Sequence, residues 1–123
     1  MKNIAIIFAG GSGARMGAGI PKQFIEVIGK PIIIHTLDVF EEHASIDEIY
    51  IACINDYIDK LQKLVKRHMI TKVIKIVPGG ASGQESIYNA LSAAQENNDE
   101  KSIVLIHDGV RPCINKDLID DVI

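Results

Sequence analysis

Two basic residues, Arg15 and Lys22, lie in a glycine-rich segment that directly follows an apolar run near the start of the chain. The apolar run covers residues 4–8, and glycines follow it at positions 10, 11, 13, 17 and 19. Because glycine has no Cβ, backbone N–H groups can approach a phosphate chain closely, and two nearby cations can neutralise charge on that chain. The segment therefore predicts a nucleoside triphosphate site in which the basic residues also take part in the chemistry.

Two better-known glycine loops do not fit this segment. A dinucleotide-binding loop requires G-x-G-x-x-G, and here Met16 stands at the position of the last glycine. A P-loop requires G-x-x-x-x-G-K-[ST], but Lys22 follows a proline and precedes a glutamine. A glycine-rich connection that binds no ligand is the alternative, and Arg15 and Lys22 argue against it.

The size, composition and charge of the chain limit the classes of protein to which it can belong. Its 123 residues are enough for one domain, and 47% hydrophobic with 24% charged residues is an ordinary globular composition. The net charge of −3, without a basic cluster interleaved with aromatic residues, argues against a nucleic-acid surface. The N-terminal apolar run is too short for a signal peptide or a membrane span, so we expect a cytoplasmic protein. Cys53 and Cys113 have no metal-like spacing, so we expect a buried thiol and a loop thiol.

Alternating apolar runs and helical patterns predict the fold class. Short runs rich in Ile and Val predict strands at residues 4–8, 49–54, 73–77 and 103–106. Between them, apolar residues at helical spacing predict three helices: one with Pro31 in its first turn that runs to Glu42, one around residues 57–66, and one from Ser86 that frays in the polar run 95–101. A fourth helix is predicted after Asn115. This alternation predicts right-handed crossovers and a doubly wound, mostly parallel α/β sheet with helices on both faces.

The segment after the third predicted strand could meet the glycine-rich segment, because ligands bind beyond the carboxyl ends of parallel strands. Gly79 and Gly80 would permit backbone contacts to a flat base, and Ser86 could form a hydrogen bond with it. A helix cap is an equally good interpretation, for which either Ser82 or Ser86 would serve. These residues alone do not distinguish the two.

The segment after the fourth predicted strand carries the pair Asp108 and Arg111. Asp108 is a carboxylate at a strand end, where magnesium is commonly held against phosphates, and Arg111 could pair with a phosphate of a second substrate. The structural alternative is a turn residue with a surface ion-pair partner. The spacing slightly favours the functional interpretation.

Five motifs in order and at matching intervals carry a resemblance to a known family: A-G-G-x-G-x-R-M, P-K-Q-F, G-K-P-I, G-G-x-x-x-x-x-S and H-D-G-V-R-P. Together they resemble the cytidylyltransferases that join CMP to a sugar or polyol phosphate, among them the enzymes for methylerythritol 4-phosphate and for ribitol 5-phosphate. The resemblance covers essentially the whole chain. It implies a Rossmann-like nucleotidyltransferase fold, CTP and a polyol phosphate as substrates, Mg²⁺ as cofactor, and a homodimer at full length.

The resemblance also implies roles for individual residues. The catalytic cations correspond to Arg15 and Lys22. The residues that line the CTP phosphates and ribose correspond to Ala9, Gly10, Gly11 and Gly13. Those that meet the cytosine correspond to Gly80 and Ser86. By the same resemblance, Asp108 holds magnesium and Arg111 faces the second substrate.

Three loops indicate which branch of the family the chain resembles. The erythritol branch usually has P-A-A-G in the first loop, an arginine in the second and H-D-A-A-R-P in the third. This chain has F-A-G-G at residues 8–11, Gly83-Gln84 in the second loop and H-D-G-V-R-P in the third. These departures resemble the ribitol branch, so D-ribitol 5-phosphate is the expected acceptor and methylerythritol 4-phosphate the alternative. A CTP-binding regulatory module without turnover is the alternative from another class.

Members of this family are considerably longer than 123 residues. Residues 1–123 are therefore expected to be the N-terminal, nucleotide-binding part of a single cytidylyltransferase domain that is incomplete at its C-terminus. Because residues that bind the acceptor would lie in the second half, the fragment alone is expected to be weakly active or inactive.

Overall fold

The main sheet of the protein consists of four parallel strands in the computed structural model, which describes residues 2–9, 24–80, 82–97 and 103–108. The elements in chain order are β1 (Asn3–Ala9), β2 (Glu26–Val27), β3 (Lys30–Pro31), α1 (Ile32–Glu42), β4 (Glu48–Cys53), a 3₁₀ turn (Asn55–Tyr57), α2 (Ile58–Arg67), β5 (Val73–Pro78), α3 (Gly83–Asn97) and β6 (Ile103–Asp108). All four predicted strands are confirmed, with boundaries that differ by one or two residues.

The order of the strands in the main sheet is β5-β4-β1-β6, and every neighbouring pair is parallel. The chain proceeds outward from β1 through β4 to β5, and then returns to the opposite side of β1 to form β6. This reversal creates a topological switch point between β1 and β6, which is where open α/β sheets bind their ligands.

One face of the sheet is covered by α1 and α2. Ala5 and Ile7 of β1 face this side and belong to a core cluster with Leu37 and Phe40 of α1 and Leu61 of α2, all of them fully buried. Each large side chain buried in this way contributes about 1.5–3 kcal/mol to the stability of the fold. The apolar stripes predicted for the two helices are thus the faces that pack on the sheet.

The opposite face of the sheet is covered by α3. Ile4 and Ile6 of β1 face this side and cluster with Ala90, Ala93 and Ala94 of the helix. Successive residues of a strand point to opposite faces, so an unbroken apolar run is what a strand covered on both sides requires. The prediction of a doubly wound sheet with helices on both faces is confirmed.

A short hairpin, formed by β2 and β3, was not predicted from the sequence. Its two-residue turn consists of Ile28 and Gly29, with φ angles of 51° and 85°. Pro31 ends the hairpin and occupies the N-cap of α1, one residue before the predicted first turn. The N–H of Ile32 donates to the carbonyl of Ile25 at 2.9 Å, which ties the first turn of the helix to the hairpin.

Two further predictions concern the helices. The third helix spans Gly83–Asn97, so it begins three residues before the predicted Ser86 and reaches into the polar run 95–101, of which residues 98–101 lie outside the described residues. The helix predicted after Asn115 lies outside the described residues. Within the described ranges, no helix is both long enough and apolar enough to cross a membrane.

Candidate active site

The carboxyl ends of the four parallel strands meet at one edge of the sheet. Ala9 of β1 is in register with Cys53 of β4, and Cys53 is in register with Pro78 of β5. On the other side of β1, Phe8 is in register with Asp108, the last residue of β6. The edge predicted to collect the unusual segments is therefore present, and the residues that follow β1, β5 and β6 all start from it.

The switch point places the ends of β1 and β6 next to each other. The glycine-rich segment continues the chain from β1, and the H-D-G-V-R-P motif begins in β6, with Asp108 as its final strand residue. Several predicted site residues lie outside the described residues, and their roles stay predictions: Gly10, Gly11, Gly13, Arg15, Lys22 and Arg111. The backbone of Ala9 is described as the last residue of β1, and its contact with nucleotide also stays a prediction.

The loop between β5 and α3 is held by a small set of hydrogen bonds. The N–H of Gly79 donates to the carbonyl of Cys53 at 2.7 Å, which attaches the loop to the end of the neighbouring strand. The N–H of Gly80 donates to the Ser86 hydroxyl at 3.0 Å, and that hydroxyl donates to the carbonyl of Ser82, also at 3.0 Å. Ser86 is completely buried. The loop is therefore folded around the Ser86 side chain.

The two serines of this segment have different tasks. Ser82 is the helix cap, because its hydroxyl accepts a hydrogen bond from the N–H of Glu85, three residues on, at 3.1 Å. Ser86 instead holds the loop, and its hydroxyl donates its hydrogen to the carbonyl of Ser82. A hydroxyl has two acceptor lone pairs, of which Gly80 takes one. The predicted contact of Ser86 with cytosine therefore stays a prediction, to which this side chain could bring one acceptor.

Gly80 packs so closely against α3 that no other residue fits without movement. A Cβ at this position would lie 2.2 Å from Cγ, 2.4 Å from Cβ and 2.5 Å from Cδ of Glu85. Carbon atoms in normal contact are about 3.5–4.0 Å apart. A glycine is therefore required here by packing, in addition to any close approach of a ligand to its backbone.

Asn89 is a residue of this site that the sequence analysis missed. Its side-chain N–H donates to the carbonyl of Pro78 at 3.0 Å, so it contacts the loop one turn further along α3 than Ser86 does. The signal available in the sequence was the spacing of three residues between Ser86 and Asn89, which places both on the same side of a helix.

Cys53, at the carboxyl end of β4, is a structural thiol. It is fully buried, as predicted, and burial raises its pKa to about 12, because the thiolate would lose its hydration. A thiol that remains protonated at neutral pH is a poor nucleophile and a poor metal ligand. The predicted loop thiol, Cys113, lies outside the described residues.

No group of three or more His, Cys, Asp or Glu side chains that could hold a metal ion is found within residues 2–9, 24–80, 82–97 and 103–108. Magnesium usually takes only one or two carboxylates from the protein and completes its shell with phosphate oxygens and water. A single carboxylate at the end of β6, next to the strand that leads into the glycine-rich segment, is a donor set of this kind. Asp108 therefore suits the predicted ion in residue type and in the place of its backbone at the strand end, and its binding of magnesium stays a prediction.

The family model for IspD, 2-C-methyl-D-erythritol 4-phosphate cytidylyltransferase, matches residues 3–123 of the chain. The chain belongs to this family. Membership agrees with the motifs at the strand ends and confirms the expected nucleotidyltransferase fold. Proteins from both the ribitol branch and the erythritol branch are similar to this chain.

Two curated relatives and one solved structure show how similar the chain is to known members of the family. The ribitol-5-phosphate cytidylyltransferase of Streptococcus agalactiae serotype V is 50% identical over 121 residues, which are 98% of this chain and 50% of that protein. The 2-C-methyl-D-erythritol 4-phosphate cytidylyltransferase of Clostridium botulinum strain Loch Maree is 43% identical over 120 residues, 98% of this chain and 51% of that protein. A crystal structure of 4-diphosphocytidyl-2C-methyl-D-erythritol synthase superposes with a TM-score of 0.76 at 25% identity, covering 97% of this chain and 50% of that one. The chain thus spans about half the length of the curated relatives it matches.

Proposed function

We propose that the full-length protein transfers CMP from CTP to D-ribitol 5-phosphate, forming CDP-ribitol and pyrophosphate. The observation that carries this proposal is the meeting of three motif-bearing strand ends at one edge of the sheet, with the switch point between β1 and β6. The choice of ribitol phosphate is supported by the three loops that resemble the ribitol branch. It is also supported by the higher identity to a ribitol-5-phosphate cytidylyltransferase, 50% against 43% for an erythritol relative.

In the proposed reaction, a phosphate oxygen of the acceptor attacks the α-phosphorus of CTP in line with the leaving group. One phosphorus–oxygen bond forms, the bond between the α-phosphorus and the bridging oxygen breaks, and pyrophosphate leaves with its electron pair. Because no covalent enzyme intermediate is needed, the task of the protein is positioning and stabilisation of charge. Arg15 and Lys22 would stabilise the negative charge on the α-phosphate, and Arg111 would hold the phosphate of the acceptor. Magnesium bound by Asp108 would neutralise charge on the triphosphate.

The loop between β5 and α3 is the proposed seat of the cytosine. Its backbone is held in one shape by Ser86 and carries the glycine pair Gly79-Gly80 at its start. A site that hydrogen-bonds the exocyclic amino group of cytosine rejects an analogue without it, since buried polar groups are then left unpaired. CTP should therefore be preferred to UTP, and a purine should be excluded by its size.

The test is pyrophosphate release by the full-length protein with CTP and either ribitol 5-phosphate or methylerythritol 4-phosphate. We expect faster release with ribitol 5-phosphate, and faster release with methylerythritol 4-phosphate would make the protein an isoprenoid enzyme. CTP binding without turnover on either acceptor would support the regulatory module. In the active enzyme, Lys22→Ala should lower turnover by about 10²–10³-fold, the usual loss when one stabilising donor is removed from a transition state.

The remaining parts of the proposal concern the oligomeric state, the metal ion, the cellular location and the use of the product. We propose that the full-length protein is a magnesium-dependent homodimer in the cytoplasm, where CTP is available. CDP-ribitol would supply ribitol phosphate to a teichoic acid or capsule polymer. Light scattering of the full-length protein tests the dimer. A titration of magnesium with the Asp108→Asn variant tests the metal, because loss of one negative charge should raise the concentration of Mg²⁺ required.

A further inference from the structure

Two polar side chains of α3, Ser86 and Asn89, contact the loop that precedes the helix. They are three residues apart, so they lie on the same side of the helix one turn after another. Ser86 binds the middle of the loop through the N–H of Gly80 and the carbonyl of Ser82. Asn89 binds the peptide that joins β5 to the loop, through the carbonyl of Pro78, the last residue of the strand. The helix therefore holds the loop at two separate places.

The contact made by Asn89 falls on one particular peptide group, the one that joins Pro78 to Gly79. The oxygen of this peptide accepts the hydrogen bond from the Asn89 side chain at 3.0 Å. Its N–H donates to the carbonyl of Cys53 at 2.7 Å. The same peptide plane is thus fixed from opposite sides, by α3 and by the end of β4.

The peptide before a glycine pair is the place where such a constraint matters. Glycine adopts conformations that other residues avoid, so the chain at Gly79 and Gly80 has little local preference for one orientation. The N–H groups of both glycines already donate within the protein, to the Cys53 carbonyl and to the Ser86 hydroxyl, so the direction of their carbonyl groups decides what a ligand at this edge would meet. A hydrogen bond to the Pro78 carbonyl removes one alternative, because rotation of this peptide would break the bonds to both Asn89 and Cys53.

The presence of asparagine at this position is not explained by the helix itself. Asparagine lies well below alanine in helix propensity, because its side chain competes for backbone hydrogen bonds. The favourable interaction that asparagine makes at position 89 is therefore its hydrogen bond with the Pro78 carbonyl.

We propose that Asn89 is a positioning residue for nucleotide binding: it holds the Pro78–Gly79 peptide in the orientation in which the glycine pair receives the cytosine of CTP. This inference rests on the function proposed above. In this inference the contact of Asn89 is with the Pro78 carbonyl and not with the nucleotide or the reacting atoms. It acts on affinity through the loop, so its loss should weaken CTP binding without changing the chemical step.

The experiment uses the full-length protein with the variants Asn89→Ala and Asn89→Asp. The alanine variant removes the donor, and the aspartate variant places a second acceptor against the Pro78 carbonyl. Gln95→Ala is the matched control, since Gln95 is an exposed residue of the same helix, six residues and about 9 Å further from the loop. Steady-state kinetics with each substrate, the dissociation constant of CTP and hydrogen exchange of residues 79–82 without nucleotide are measured for each protein.

For Asn89→Ala we expect the KM and dissociation constant of CTP to rise about threefold to tenfold, the usual effect of one hydrogen bond. The kcat and the KM of the acceptor should stay within about twofold of the wild-type values, and hydrogen exchange of the loop should become faster. Asn89→Asp should show at least the same change, and Gln95→Ala none. Unchanged CTP affinity and loop exchange in Asn89→Ala, or equal losses for both substrates together with a lower Tm, would overturn the inference.

The outcome also distinguishes this inference from the proposed function. If the wild-type protein binds CTP but turns over neither acceptor, the proposed transferase is wrong, and the CTP dissociation constants still decide the role of Asn89. If the wild-type protein does not bind CTP, both are wrong. If it is active and Asn89→Ala binds CTP like the wild type, only the role of Asn89 is wrong.

Discussion

Replacing Gly80 with alanine would test whether the packing of the β5–α3 loop against its helix controls nucleotide binding. The added Cβ would lie 2.2–2.5 Å from three carbon atoms of Glu85, at least about 1 Å inside normal contact. One of these atoms is the Glu85 Cβ, which side-chain rotation cannot move, so the backbone of the loop or of the helix must shift. Overpacking of this kind costs about 1–3 kcal/mol. If the loop moves rather than the helix, and this cost appears in the affinity for CTP, CTP should bind about 5- to 150-fold more weakly.

Calorimetric titration of CTP into the full-length Gly80→Ala protein measures this loss. Glu85→Gly removes all three contacting carbons, so the double variant Gly80→Ala/Glu85→Gly should recover part of the affinity, and the single Glu85→Gly variant completes a double-mutant cycle. Urea unfolding of the four proteins separates a displaced loop from a destabilised domain. Wild-type CTP affinity in Gly80→Ala would refute the reasoning, because the loop would then tolerate a displacement that we expect to misplace the base.

Three further predictions concern the framework around the site. Ile28→Asn should raise the free energy of unfolding by about 1 kcal/mol, because Ile28 is a β-branched residue at a φ of 51° and asparagine tolerates this conformation; equal or lower stability in urea would contradict it. Cys53 should react with iodoacetamide at pH 8 only after unfolding, as judged by mass analysis of its peptide, because burial raises its pKa from 9.0 to about 12. With the folded-state pKa raised, its contribution to stability is fully present below pH 9 and is lost as the pH rises towards 12. Glu41→Ala should lower the free energy of unfolding by about 1–3 kcal/mol, because the N–H groups of Thr71 and Lys72, each 2.9 Å from the same carboxylate oxygen, lose their acceptor. Glu41→Gln keeps one oxygen and should lose less, and equal losses in the two variants would show that this acceptor is not the cause.

The layers of the fold could be predicted because they follow from local patterns. The run from Ile4 to Ile7 is apolar at every position, and a strand buries consecutive residues only when both of its faces are covered. The order of the strands is a different matter, since it depends on pairings between residues far apart in the chain. The register of Ile7 with both Ile51 and His107 has no local signal in any of the three segments.

The hairpin at β2 and β3 shows where local patterns mislead. A two-residue turn with two positive φ angles usually contains asparagine or aspartate before the glycine. Here Ile28 takes that position, and its 91% exposed side chain follows Val27, so the segment has the composition of a strand and the geometry of a turn. Contacts with α1 stabilise this geometry, among them the hydrogen bond between the His35 ring and the Val27 carbonyl. Sequence analysis does not predict a turn whose shape depends on such a contact.

The site was predictable in its position and only partly in its construction. Ser82 and Ser86 are both reasonable helix caps from the sequence, and the exact start of α3 decides between them. Because the helix begins at Gly83, Ser82 is its N-cap, and its hydroxyl accepts the hydrogen bond from the N–H of Glu85. Ser86 then lies in the first turn of the helix, on the side that faces the loop. Asn89 is one turn further along the same side of the helix, where its side chain reaches the carbonyl of Pro78. The shape of the proposed cytosine seat is therefore set by the inner face of α3, and changes on that face should alter nucleotide affinity as strongly as changes in the loop itself.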